Sequence, residues 1–190
     1  MGPGIFDLLP ARRFLHNSAN FVHLCALGQI ELYSCYSIHL CILVRYEGDP
    51  MIKEIVKDQE FLAQECEPAT IEDAQVEQDL LDTMKHLSES CACLAANQIG
   101  AQKAIIAYSD DNAKVHVMYN PKIVQVMGPY EAKEGCLSLD EESTSTRYQL
   151  IRVAYQEMQG GKLLSRVKKY SGFTAEAIQH AVDHTKGLLV

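Results

Sequence analysis

Between residues 70 and 90 the apolar positions recur at helical spacing. In "TIEDAQVEQDLLDTMKHLSES", Val76, Leu80, Leu81, Met84 and Leu87 fall on one side, and Thr70 with Asp73 three residues on makes an N-terminal cap. A second helix is predicted over Phe173–His184, capped by Ser171, with Phe173, Ala177, His180, Ala181 and His184 on a common face. Between the two the pattern changes to alternation. "CACLAANQIG" reads as a loop ending in glycine, "KAIIAYSD" as a strand and "DDNA" as a turn. "KVHVMYNPKIVQVMGP" alternates, and Pro121 divides it into two short strands; "EAKEGCLSLDEES" is a strand edge running into a polar loop. "RYQLIRVAYQEMQGGKLLSRVKKY" alternates on both sides of Gly160–Gly161, the pattern of a hairpin. The expected class is α+β: mixed or antiparallel strands and hairpins packed around a C-terminal helix, with one helix on the N-terminal side.

The first fifty residues differ from the rest. They hold three arginines and no lysine, whereas residues 51–190 hold eleven lysines and three arginines. The stretch "FVHLCALGQIELYSCYSIHLCILV" is interrupted by His23, Gln29, Glu31 and His39, which does not suit a spanning helix of about 20 apolar residues. Arg12–Arg13 is followed by "FLHNSANFVHL", not the clean apolar core of a signal peptide. Residues 1–50 are therefore read as an extension of unknown role, with the functional domain at 51–190.

The composition, 47% apolar and 22% charged over 190 residues, suits an ordinary soluble domain. The net charge of -8 argues against a general nucleic-acid binder. Seven cysteines, an odd number, suit a reducing compartment with thiols free or on metal. The expectation is a cytoplasmic protein, monomeric, with no membrane and no specific nucleic acid among its partners.

His180 and His184 are four apart, the way two metal ligands are presented on one helix face. Two histidines do not complete a site, and on their own they read more readily as core imidazoles than as ligands. Cys136 in "EGCLSL" is the best third donor, though alone it is an ordinary thiol. A thiolate and two imidazoles hold zinc or ferrous iron at three corners and leave the fourth open, where water becomes acidic enough to act as a nucleophile near neutral pH.

"CLAANQIG" (93–100), "EGCLS" (134–138) and "QHAVDH" (179–184) stand in the order of three motifs, roughly GxGLAAxQ, EGCLS and QHExDH, and in this the chain resembles the peptide deformylases. "MIKEIVKDQEFLAQECEPAT", "YNPKIV" and "SGFTAEAIQH" extend the likeness over residues 51–190, to a short form of the family. The resemblance implies one divalent metal, ferrous iron natively with zinc, nickel or cobalt as substitutes, on Cys136, His180 and His184. It implies N-formylmethionyl nascent peptides as substrates, met at the ribosome. Gln98 and the backbone N–H of Leu137 would hold the carbonyl oxygen as it becomes an oxyanion, and Glu134 and Asp183 would orient the ligands.

Two departures fall on the chemistry. Ala181 stands where the family has the Glu that takes a proton from the attacking water and returns one to the leaving amine. Cys91 and Cys93 stand in place of two glycines, and a thiol there could take the fourth corner of the metal. Glu176 lies one turn before His180, near where the family has an apolar wall for methionine. The reading is a deformylase-like hydrolase impaired at Ala181, or else an inactive pseudo-enzyme that binds metal and peptide.

Overall fold

The computed structural model describes residues 30–33, 42–45 and 50–190. Expectations for the remainder of the first fifty residues lie outside the described residues. Two units separate at Gly48–Asp49. In the first, β1 (Ile30–Tyr33) pairs antiparallel with β2 (Ile42–Arg45), Ile30 opposite Arg45.

The second unit is built on a five-stranded antiparallel sheet in the order β3 (Cys93–Ala95), β4 (Ile105–Ser109), β5 (Val115–Glu134), β6 (Ser143–Gln159), β7 (Lys162–Ser171). A short helix α1 (Gln59–Leu62) and the longer α2 (Ala74–His86) precede it, and α3 (Gly172–Thr185) follows. This is the α+β arrangement expected from the sequence.

β4 shows why helices pack on both faces of the sheet. Side chains alternate along a strand, and Ile106 and Tyr108 enter one core cluster with Ile178, Ala181 and Val182 of α3. Ile105 and Ala107 enter a second cluster with Leu80 and Met84 of α2. A strand apolar on both faces must be covered on both. Fully burying side chains such as Ile106, Ile151 or Ile178, each 0% exposed, contributes about 1.5–3 kcal/mol apiece.

Four local expectations need correction. "CACLAANQIG" is not all loop: Cys93–Ala95 pair with Ile106–Tyr108 as an edge strand, and Ala96–Ile99 form a 3-10 turn closed by Gly100 at φ 87°. Small residues hid the strand because alternation needs large side chains to be visible. Pro121 does not divide β5. The register shifts between Tyr119 and Lys122, so a bulge absorbs the missing N–H. Asn120, at φ 52°, holds that bend by bonding the Ala69 carbonyl at 2.8 Å and Gln156 at 2.7 Å. Ser171 sits at the N-cap of α3, but its side chain makes no capping bond, and the helix begins at Gly172. Phe173 does not share the buried face of α3; it is 64% exposed at the lip of a cavity.

The expected cap at Thr70 is present as a reciprocal box: Thr70 N–H donates to Asp73 at 2.7 Å, around a 3-10 turn that leads into α2. The hairpin turns at Gly160 and Gly161, φ 59° and 73°, as a two-residue turn with both residues left-handed requires. Gly187 is constrained from two sides, because φ is 74° and a Cβ there would overlap the Ala63 carbonyl oxygen.

Candidate metal centre

Three elements bring the donors together. The end of β5 supplies Glu134, the loop after it Cys136, and α3 presents His180 and His184 one turn apart. The Cys136 Sγ lies 3.2 Å from His184 Nε2, which lies 3.3 Å from His180 Nε2. In a tetrahedral site with metal–nitrogen bonds of about 2.0–2.1 Å, two nitrogens stand about 3.3–3.4 Å apart. The two Nε2 atoms therefore stand at the spacing of one tetrahedral edge. Among the described residues these three form the one group of His, Cys, Asp or Glu ligand atoms lying within 4.8 Å of one another, and it contains neither Cys91 nor Cys93. The donor set and its spacing fit a divalent metal.

The surroundings hold the donors in that state. Burial opposes ionisation of Cys136, but bonds to His180 and His184 outweigh it and pull the thiol well below its usual value. The Ser138 N–H donates to the sulfur at 3.4 Å and Gln98 Nε2 at 3.5 Å. Burial disfavours charge on His180, yet the Cys136 thiolate and Glu134 raise its affinity for a proton overall. A cation is favoured at that point, and a metal in place of the proton satisfies the same demand.

Glu134 holds His180: its Oε2 is 3.0 Å from Nδ1, which leaves Nε2 to face the triangle. Glu134 is in turn clamped by Arg147, whose Nε and Nη2 donate at 2.7 Å each, while Nη1 donates to Asp183 at 2.5 Å. Asp183 thus touches Arg147 rather than a histidine, and its influence on the ligands runs through Glu134. Arg147, 3% exposed, was not singled out from the sequence; in "STSTRYQ" it looks like any strand arginine. The strand following "EGCLS" carries two arginines, Arg147 and Arg152, and nothing in the sequence sets the first apart. Asn97 was also missed: its Nδ2 bonds the His184 carbonyl at 2.7 Å and ties the 3-10 turn to the end of α3.

Gln98 is 2% exposed, with Oε1 accepting from Ala95 N–H at 2.9 Å and Nε2 donating to Ser138 Oγ at 3.1 Å. A cavity of about 280 Å³ adjoins the triangle, and its walls include Gln98, Leu137, His180, Ala177, Cys93 and Glu176. Ala181 does not line it. This residue is 0% exposed and belongs to the core cluster between α3 and the sheet, against which the half-buried Cys93 packs from β3. Burial pushes the Cys91 thiol up to about 11 and Cys93 higher still, so neither is poised as a thiolate.

The acid side of the stability curve follows from Glu134. Burial raises its pKa, but hydrogen bonds from Arg147 and His180 prevail and hold it at about 2, against an ordinary 4.5. A carboxylate depressed on folding contributes stability that is full above the unfolded value and is lost as pH falls through the folded one. The metal-free protein should therefore lose thermal stability between pH 4.5 and 2, and Glu134→Gln should flatten that part of the curve. Melting curves at three pH values across this window check it; an unchanged slope in the variant would count against the assignment.

Residues 52–190 match the family model described as Polypeptide deformylase. The chain is 42% identical over 140 residues to the peptide deformylase of Clostridium beijerinckii, covering 74% of this chain and 100% of that one. It is 32% identical over 149 residues to the peptide deformylase of Desulforudis audaxviator, covering 77% and 88%. Among solved structures, peptide deformylase from Thermus thermophilus superposes with a TM-score of 0.63 at 30% identity, over 73% of this chain and 82% of that one. A class I type b peptide deformylase from Acinetobacter baumannii superposes at 0.65 with 25% identity, over 73% and 97%. Peptide deformylases are metal-dependent and act on N-formylmethionyl peptides. On the match over residues 52–190 and the identity to these relatives, the chain belongs to the polypeptide deformylase family.

Proposed function

We propose that residues 51–190 are a deformylase-type unit that holds one divalent metal and binds N-formylmethionyl peptides, with hydrolysis impaired by Ala181. The observation that carries this is the triangle of Cys136, His180 and His184 beside a cavity, with both histidines on α3 and an alanine directly after the first of them. The extent of the family match, residues 52–190, supports the boundary.

Cys136, His180 and His184 would hold the metal, ferrous iron natively and zinc, nickel or cobalt in substitution; when bound it supplies a Lewis acid for the formyl carbonyl and acidifies water. The protein's own residues do the rest. Gln98 Nε2 and the Leu137 N–H serve as neutral donors to the carbonyl oxygen as it gains charge. Glu134 fixes the tautomer of His180, and Arg147 fixes Glu134. Ala181 has no group that takes or returns a proton. A general acid or base of this kind is typically worth about 10²–10⁴-fold, so binding survives while turnover is slow.

A second reading, a metal- and peptide-binding pseudo-enzyme, is favoured by the same residue and by the packing of Cys93 against the Ala181 cluster. In both readings the protein works in the cytoplasm as a monomer, meeting nascent chains at the ribosome. Among the described residues no helix is long and apolar enough to cross a membrane.

Calorimetric titration of the nickel-loaded chain with a formyl-Met tripeptide tests the binding. Saturable binding to the loaded protein, lost in Cys136→Ala together with the metal, is the expected result. Absence of binding with one metal per chain would end the proposal.

A further inference from the structure

Two recesses meet at Glu176. The first is the cavity beside the donor triangle. The second, of about 470 Å³, opens at the start of α3 and is lined by Tyr130, Gln149, Ser171, Gly172, Phe173 and Glu176. Phe173 and Glu176 border both. The Glu176 carboxylate is half-buried and accepts a hydrogen bond from the Tyr130 hydroxyl. Burial and that carboxylate push the Tyr130 phenol up to about 12, so it is a donor at neutral pH. None of the ion pairs among the described residues includes Glu176. Lys133 borders the first cavity but is not within ion-pair distance. A positioned anion, an aromatic ring left 64% exposed and the amide of Gln149 thus share one recess, with no lysine or arginine among the described residues that line it.

We propose that this second recess takes the Lys or Arg side chain of a bound peptide, at a position after the formylated residue. The inference rests on the reading that the site binds N-formylmethionyl peptides: the first residue occupies the cavity beside the triangle, and the chain leaves over the lip formed by Phe173 and Glu176. A lysine or arginine stem packs along apolar surface while its head stays polar. Here the Phe173 ring receives the stem or the face of the cation, and Glu176, held in place by Tyr130, receives the charge. The net charge of -8 adds a general attraction for basic peptides and repels acidic ones. An acidic side chain would meet Glu176 directly, and an alanine would leave the ring in water.

The test is binding by the full chain loaded with nickel(II), using three formyl-Met tetrapeptides that differ only in carrying Lys, Ala or Glu at the second and third positions. The Lys peptide is expected to bind about three- to tenfold more tightly than the Ala peptide at low salt, with the Glu peptide weakest. The ranking should flatten in Glu176→Gln and at about 0.5 M salt, where charges at the surface are screened. Phe173→Ala should weaken the Lys peptide more than the Ala peptide. Equal affinities, or a Lys preference that survives Glu176→Gln, would overturn the inference while leaving formyl-peptide binding intact. If none of the three peptides binds although nickel is present at one per chain, the proposed function itself fails and this inference with it.

Discussion

Arg147→Ala is expected to remove about 3–5 kcal/mol of folding stability, the usual cost of stripping one partner from a buried ion pair. The guanidinium is 3% exposed and makes three bonds, two to Glu134 at 2.7 Å and one to Asp183 at 2.5 Å. It joins β6, the end of β5 and α3 at one point, so its loss leaves the largely buried carboxylates of Glu134 and Asp183 without the cation they share. Burial opposes its charge, and the two carboxylates overcome that, raising its pKa. The same change releases Glu134, the residue that orients His180, and such outer contacts are typically worth about 10–100-fold in metal affinity. Urea unfolding at pH 7 reads the first effect and a competitive chelator titration the second. A loss below about 1 kcal/mol would mean that water reaches the cluster and that Arg147 does not organise the site.

Ala181→Glu is expected to raise formate release by about 10²–10⁴-fold, which is roughly 3–5 kcal/mol of barrier. Space limits the gain. Ala181 is 0% exposed among Ala95, Ile178 and Val182, and Cys93 packs on that cluster from β3. A glutamate must swing out of this core toward the cavity, and overpacking typically costs about 1–3 kcal/mol. Replacing Cys93 by glycine clears room on the same side of β3. The double variant Cys93→Gly, Ala181→Glu should therefore exceed the product of the single effects, as residues sharing one space do. Strict multiplicativity would show that Cys93 and position 181 do not compete.

How much of this was legible depends on which residues carry a pattern. Helix α2, the β6–β7 hairpin and the core of β4 could be read because large apolar side chains repeat at one period or the other. β3 could not, since cysteine and alanine give no visible alternation. The bulge at Asn120–Pro121 was misread as a break because a proline removes one donor without preventing pairing on either side. The donor triangle was assembled from motifs far apart in sequence, and the spacing of His180 and His184 stated only half of it. Arg147 was invisible because an ion pair across 13 residues to Glu134 and 36 to Asp183 has no sequence period. Asp183 was expected beside a ligand for the same reason: the chain does not say which carboxylate reaches the imidazole and which reaches the arginine.

The most direct test compares formate release from a formyl-Met peptide by the full chain and by its Ala181→Glu variant, both prepared without oxygen, loaded with the same ferrous iron or nickel and shown to carry one metal each. The account predicts slow release by the parent and a rise of about a hundredfold or more in the variant. Equal rates in the two proteins, fast or absent, would contradict it: fast would mean that a proton carrier other than residue 181 serves the reaction, and absent would mean that the cleft, not the missing carboxylate, blocks it.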